Sequence, residues 1–61
     1  MDEHDLRRLL AAFNYLTNSE FELRIRADGK CVLKCVSAGG GPTLKFKSVK
    51  ETAEYLREEC Q

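Results

Sequence analysis

Positions 20–35 of the chain read EFELRIRADGKCVLKC, in which two stretches of alternating polar and apolar residues flank a glycine. Successive side chains of a β-strand point to opposite faces of a sheet, so this alternation predicts strands with one buried face. The first strand spans 20–26 and directs Phe21, Leu23 and Ile25 toward the core. The second strand runs from about Lys30 to Ser37. The segment therefore predicts a β-hairpin.

The hydrophobic pattern also selects the turn of this hairpin. A two-residue turn would place Lys34 beside Leu23 in the core. A three-residue loop, with Gly29 in the left-handed conformation at its end, pairs Arg26 with Lys30 instead. We predict the three-residue loop, because a shift of one residue would reverse the faces of the second strand. The buried pairs across the hairpin are then Ile25–Cys31, Leu23–Leu33 and Phe21–Cys35.

An amphipathic helix is predicted before the hairpin. Asp2 is suited to cap its amino terminus. Asn18 tolerates the left-handed conformation that closes many helices, so the helix is expected to end near Thr17. The apolar side chains that recur with the spacing of one helical face are Leu6, Leu9, Leu10, Phe13 and Leu16.

A third strand and a second helix are predicted after the hairpin. Residues 37–42 read SAGGGP and predict a flexible connection. A short strand follows over 43–48, with Leu44 and Phe46 facing inward. Ser48-Val49-Lys50-Glu51 has the form of a capping box, which marks the start of a helix. The buried stripe of this helix is predicted to be Val49, Ala53, Leu56 and Cys60.

The order of these elements indicates the fold class. The chain has 61 residues, 43% of them hydrophobic and 33% charged, which is typical of a single small domain over 1–61. Each helix must bury an apolar stripe, and the sheet has only one strongly apolar face. We therefore predict an α+β fold in which two helices pack on one face of a three-stranded antiparallel meander.

The order helix–strand–strand–strand–helix resembles the topology of double-stranded-RNA-binding domains. Members of that family carry a lysine-rich motif at the start of the last helix. The corresponding segment here is Ser48-Val49-Lys50-Glu51-Thr52, which has one lysine beside a glutamate. The resemblance therefore concerns topology and implies no binding residues.

The sequence offers little that supports catalysis. The single histidine, His4, lies in the first turn of the first helix and is expected to face water. Cys31 and Cys35 are expected to face the core, about 13 Å apart along one strand, whereas a disulfide needs less than about 7 Å. The glycines at 39–41 precede a strand, whereas a phosphate-binding loop opens a helix. We expect no enzymatic activity, no catalytic residue, no metal site and no cofactor.

Cellular location is predicted from what the sequence lacks. No apolar run reaches the roughly 18 residues that would cross a bilayer. The first five residues are acidic, unlike a signal peptide. Three cysteines, an odd number, argue against a disulfide framework. We expect a cytoplasmic protein that makes no membrane contact.

Charge is unevenly distributed although the net charge is zero. Between Glu22 and Lys50 the chain has seven lysines and arginines and two acidic residues, whereas both ends of the chain are acidic. The predicted register directs most of these cations to the open sheet face, where they are suited to contact a phosphate backbone. The candidate nucleic-acid-binding residues are Arg24, Arg26, Lys34, Lys45 and Lys47. The alternative is that these charges keep the open face soluble.

A second candidate surface lies on the outer face of the first helix. Arg8, Ala11 and Tyr15 are predicted to lie together there, and Tyr55 is predicted to lie off the buried stripe of the second helix. Tyrosine and arginine are enriched at protein interfaces. We therefore predict a non-enzymatic binding module, as a monomer or a homodimer, that contacts nucleic acid through the open sheet face. The alternative is a protein-interaction module, an adaptor or inhibitor of a larger protein, that uses the exposed helix face or the open sheet.

Overall fold

The computed structural model describes residues 2–36 and 40–60. Along the chain it contains α1 (Glu3–Thr17), β1 (Phe21–Ile25), β2 (Cys31–Cys35), β3 (Thr43–Phe46) and α2 (Val49–Glu59). The strands form one antiparallel sheet in the order β1-β2-β3. The predicted α+β class and meander are thus confirmed. In the predicted connection over 37–42, residues 37–39 lie outside the described residues.

The ends of α1 have the caps that the sequence predicts. Asp2 Oδ1 accepts a hydrogen bond from the Asp5 amide at 2.9 Å, and this bond holds the pKa of Asp2 below its ordinary value of 3.8. Asn18 has φ 53° and ψ 43°, and its amide donates to the Asn14 carbonyl. The left-handed residue satisfies an otherwise unpaired carbonyl at the end of α1.

The side chain of Asn14 joins α1 to the start of β1. Its Nδ2 donates to the Phe21 carbonyl at 3.1 Å, and its Oδ1 accepts from the Phe21 amide at 3.0 Å. The rings of Phe13 and Phe21 lie beside this link, with centroids 5.9 Å apart. Asn14 therefore acts as a backbone partner for the first residue of the sheet.

The hairpin has the predicted three-residue loop. The Arg26 amide donates to the Lys30 carbonyl at 2.8 Å, and the Gly29 amide donates to the Arg26 carbonyl at 3.0 Å. Gly29 has φ 89°, a conformation that residues with a Cβ rarely adopt. The observed pairs include all three predicted buried pairs: Ile25–Cys31, Leu23–Leu33 and Phe21–Cys35.

Both helices contribute to one apolar core against the sheet. The buried apolar residues are Leu6, Leu10, Phe13, Leu23, Cys31, Leu33, Ala53 and Leu56. The prediction for Leu16 is wrong, because its side chain is 65% exposed. At about 100° per residue, Leu16 lies about 80° around the helix from Leu6, beyond the narrow face that contacts the core.

Two residues of α2 differ from the simple stripe. Thr52 is fully buried, and its hydroxyl donates to the Ser48 carbonyl at 2.9 Å, which satisfies its polar atom. Tyr55, predicted to lie off the stripe, is half-buried, with its ring centroid 5.2 Å from that of Phe46. It therefore packs at the edge of the core instead of forming a free binding surface. Ser48 caps α2 as predicted, since its Oγ accepts from the Glu51 amide at 3.1 Å.

Candidate nucleic-acid interface

The strand register arranges the open sheet face in rows that cross all three strands. One row consists of Arg24, Val32 and Lys45. The next row toward the carboxyl end of β2 consists of Glu22, Lys34 and Thr43. Toward the hairpin, Arg26 lies opposite Lys30, and Lys47 directly follows β3.

Four of the five candidate residues for nucleic-acid contact therefore lie close together: Arg24, Arg26, Lys34 and Lys45. Neighbouring strands are about 4.8 Å apart, and successive residues on one face of a strand are about 6.6 Å apart. Across three strands and three rows, the Cα positions of these four residues occupy an area of about 10 by 13 Å. All five side chains are exposed: Arg24, Arg26, Lys34, Lys45 and Lys47.

Most of these cations are not engaged by neighbouring carboxylates. Arg24 Nη2 lies 3.6 Å from Glu22 Oε1, and both side chains are more than half exposed. Glu22 faces Lys34 across the strands, but its ion pair is with Arg24. Within residues 2–36 and 40–60, no ion pair involves Arg26, Lys34, Lys45 or Lys47. An exposed pair such as Arg24–Glu22 contributes little stability, so it does not prevent Arg24 from contacting a ligand.

Valines provide the apolar part of this face. Val32 is half-buried between Arg24 and Lys45, and Val36 is 50% exposed. The aromatic residues of the strands, Phe21 and Phe46, are half-buried against the core. Single-stranded bases are usually bound by stacking on exposed aromatic rings. The open face is therefore better suited to contact a phosphate backbone than to stack on bases.

A half-open cavity lies at the hairpin end of the sheet, with a volume of about 330 Å³. The residues that line it come from the hairpin and from β3: Arg26, Asp28, Lys30, Cys31, Val32, Lys45 and Phe46. Lys30 Nζ lies 4.0 Å from Asp28 Oδ2 at this end of the sheet. No local sequence pattern indicates this cavity, because the two contributing segments are separated along the chain and meet only through strand pairing.

The outer face of α1 is the second candidate surface. Arg8, Ala11 and Tyr15 are all exposed, as the sequence predicts, and Tyr15 is 87% exposed. Leu16, at 65% exposure, adds a second large apolar side chain at the same end of the helix. These two residues are the most exposed large apolar side chains in the described part of the chain.

Across the described ranges, 2–36 and 40–60, no three His, Cys, Asp or Glu side chains are grouped so that they could hold a metal ion. No helix of these ranges is long and apolar enough to cross a membrane. Of the three cysteines, Cys31 is buried, whereas Cys35 and Cys60 are half-buried.

Comparison with known proteins identifies no relative of this chain. No protein-family model matches the chain, and no curated protein or solved structure matches it.

Proposed function

We propose that this chain is a small non-enzymatic binding module that contacts nucleic acid through its open sheet face. The contacting residues are Arg24, Arg26, Lys34, Lys45 and Lys47. The observation that carries the proposal is the group of exposed cations on one sheet face, four of which have no ion pair within the described residues. Several exposed cations on one sheet face are suited to contact the phosphates of a nucleic-acid backbone.

Salt dependence gives this proposal a quantitative form. Each phosphate contact on duplex DNA releases condensed counterions and contributes about −0.9 to the slope of log affinity against log salt concentration. Five contacts predict a slope of about −4.5, which is roughly a 500-fold loss of affinity between 50 and 200 mM salt. An affinity that barely changes between about 50 and 200 mM salt would contradict contact between this sheet face and phosphates.

The first experiment compares the wild type with Lys45→Glu/Lys47→Glu. Fluorescence anisotropy with labelled duplex DNA, single-stranded DNA and RNA at low salt measures affinity. The matched control is Lys50→Glu/Arg57→Glu, which changes the net charge equally at two exposed positions of α2. We expect the sheet variant to lose binding and the α2 variant to retain most of it.

Two outcomes of that comparison would contradict the proposal. Equal losses in the two variants would show that net charge alone, and not the sheet face, governs binding. Failure of the wild type to bind any of the three nucleic acids at micromolar concentration would assign these residues to solubility. Circular dichroism of each variant confirms that the fold is retained.

A protein partner is the second candidate function, and the exposure of Tyr15 beside Leu16 favours it. In this case Arg8, Ala11 and Tyr15 form the contact surface on α1. Tyr15→Ala is expected to abolish capture of a purified partner and to leave nucleic-acid affinity unchanged. Lys45→Glu/Lys47→Glu serves as the reciprocal control, because it should leave capture unchanged. Retention of capture by Tyr15→Ala would contradict this surface.

A further inference from the structure

The cavity at the hairpin end collects positive charge from three separate positions. Arg26 directly follows β1, Lys30 directly precedes β2, and Lys45 lies in β3. Asp28 is the only carboxylate among its lining residues. Strand pairing brings these groups together. The backbone of Arg26 is hydrogen-bonded to that of Lys30, and Val32 is paired with Lys45.

The net charge of the lining residues matches that of a phosphate monoester better than that of a phosphate diester. Three cations and one carboxylate leave two positive charges. A phosphate monoester carries about −1.5 to −2 at pH 7, since its second pKa is about 6. A diester within a nucleic-acid strand carries a single negative charge. The cavity therefore has the charge that a terminal phosphate would neutralise.

The size of the cavity is also informative. Its volume of about 330 Å³ is about eleven times the roughly 30 Å³ that one water occupies in the liquid. This is more space than a phosphate group fills, so the attached sugar can enter as well. Val32, which is half-buried on the open face, provides apolar lining for that sugar.

We infer that this cavity binds a nucleotide through a terminal phosphate monoester. The inference rests on the proposed function, to which it adds a preferred ligand. Arg26, Lys30 and Lys45 contact the phosphate, and Asp28 limits the affinity. Lys30 lines this cavity but is not one of the five residues proposed to contact nucleic acid, whereas Arg26 and Lys45 belong to both sets.

Binding of mononucleotides tests the charge preference directly. Adenosine 5′-monophosphate and 3′,5′-cyclic adenosine monophosphate share a base and a sugar but present a monoester and a diester. In water, one pair of unit charges about 6 Å apart changes affinity about threefold. Two net positive charges acting on the additional negative charge of the monoester therefore predict about a tenfold preference. Calorimetry at pH 8 and about 10 mM salt, where screening is weak, measures both affinities.

Two substitutions are expected to move this preference in opposite directions. Lys30→Gln leaves one net charge and should reduce the preference to about threefold, whereas Asp28→Asn leaves three and should raise it to about thirtyfold. Asparagine preserves the acceptor that Asp28 Oδ1 offers to the Lys30 amide at 3.0 Å, so the hairpin loop is retained. Lys50→Gln is the matched control, because Lys50 is an exposed residue of α2 that lies outside the cavity lining; the preference of this variant for the monoester should remain about tenfold.

The source of the terminal phosphate is distinguished with single strands that carry either a 5′-phosphate or a 5′-hydroxyl. Tighter binding of the phosphorylated strand, with a smaller preference in Lys30→Gln, identifies strand ends as the ligand. A monoester preference seen only with mononucleotides identifies a free nucleotide.

Equal affinity for the two mononucleotides, or no binding of either at millimolar concentration, would overturn the inference. The proposed function would still stand in that case if Lys45→Glu/Lys47→Glu removed nucleic-acid binding. If mononucleotides bound with the expected preference while that double variant retained duplex binding, the proposed sheet interface would fail separately.

Discussion

The same substitution at two leucines of α1 is expected to have very different consequences. Leu10 is 6% exposed and packs in the core, whereas Leu16 is 65% exposed. In a protein core, Leu→Ala removes favourable burial and leaves a cavity, and it costs about 3 kcal/mol of unfolding free energy. At Leu16 about a third of the residue is buried, so Leu16→Ala should cost about 0.5 kcal/mol. Both substitutions insert the same helix-favouring residue in the same helix, so helix propensity cancels between them.

These free energies are large compared with the stability of the whole domain. At 0.05–0.15 kcal/mol per residue, a chain of 61 residues has about 3–9 kcal/mol in total. Because 1 kcal/mol shifts Tm by about 4–8 °C in so small a domain, Leu10→Ala should lower Tm by about 12–24 °C. Leu16→Ala should lower it by about 2–4 °C.

Urea titration followed by far-ultraviolet circular dichroism measures both variants at about 15 °C, near the usual maximum of stability. If Leu10→Ala is unfolded without urea, Leu10→Met supplies a milder change, expected to cost less than about 1.5 kcal/mol. Equal destabilisation at the two positions would refute the reasoning. It would show that Leu16 is part of the core and that α1 contacts the sheet with the whole predicted stripe.

Substitutions at three further positions test contacts that hold the fold together. Asn14→Ala removes both hydrogen bonds to the Phe21 backbone and should cost about 2 kcal/mol; an unchanged urea midpoint would show that this link contributes nothing. Ser48→Ala removes the cap of α2 and should cost about 1 kcal/mol, while Ser48→Asp should be nearly neutral. Gly41→Ala would place a Cβ 2.7 Å from the Cβ and Sγ of Cys35, so it should cost about 1–3 kcal/mol by thermal unfolding, and a stability equal to that of the wild type would show that the contact relaxes freely.

Local patterns in the sequence determined most of the fold. The period of two in β1 and β2 specifies which side chains share a face, and Gly29 permits the loop that sets their register. Caps mark the starts of both helices because the interacting groups are only three residues apart. The basic character of the open face follows from the same alternation, so the candidate nucleic-acid residues could be predicted without coordinates.

Only the tertiary structure decided the burial of side chains at the edges of the helical stripes. Helical spacing cannot show how wide a face the sheet covers, so it assigned Leu16 to the core and placed Tyr55 at the surface, and Thr52 was not predicted to be buried. The hairpin-end cavity likewise depends on the pairing of β3 with β2, which sets Lys45 opposite Val32. Burial and cavities are produced by contacts between distant segments, and a pattern that extends over a few residues carries no measure of those contacts.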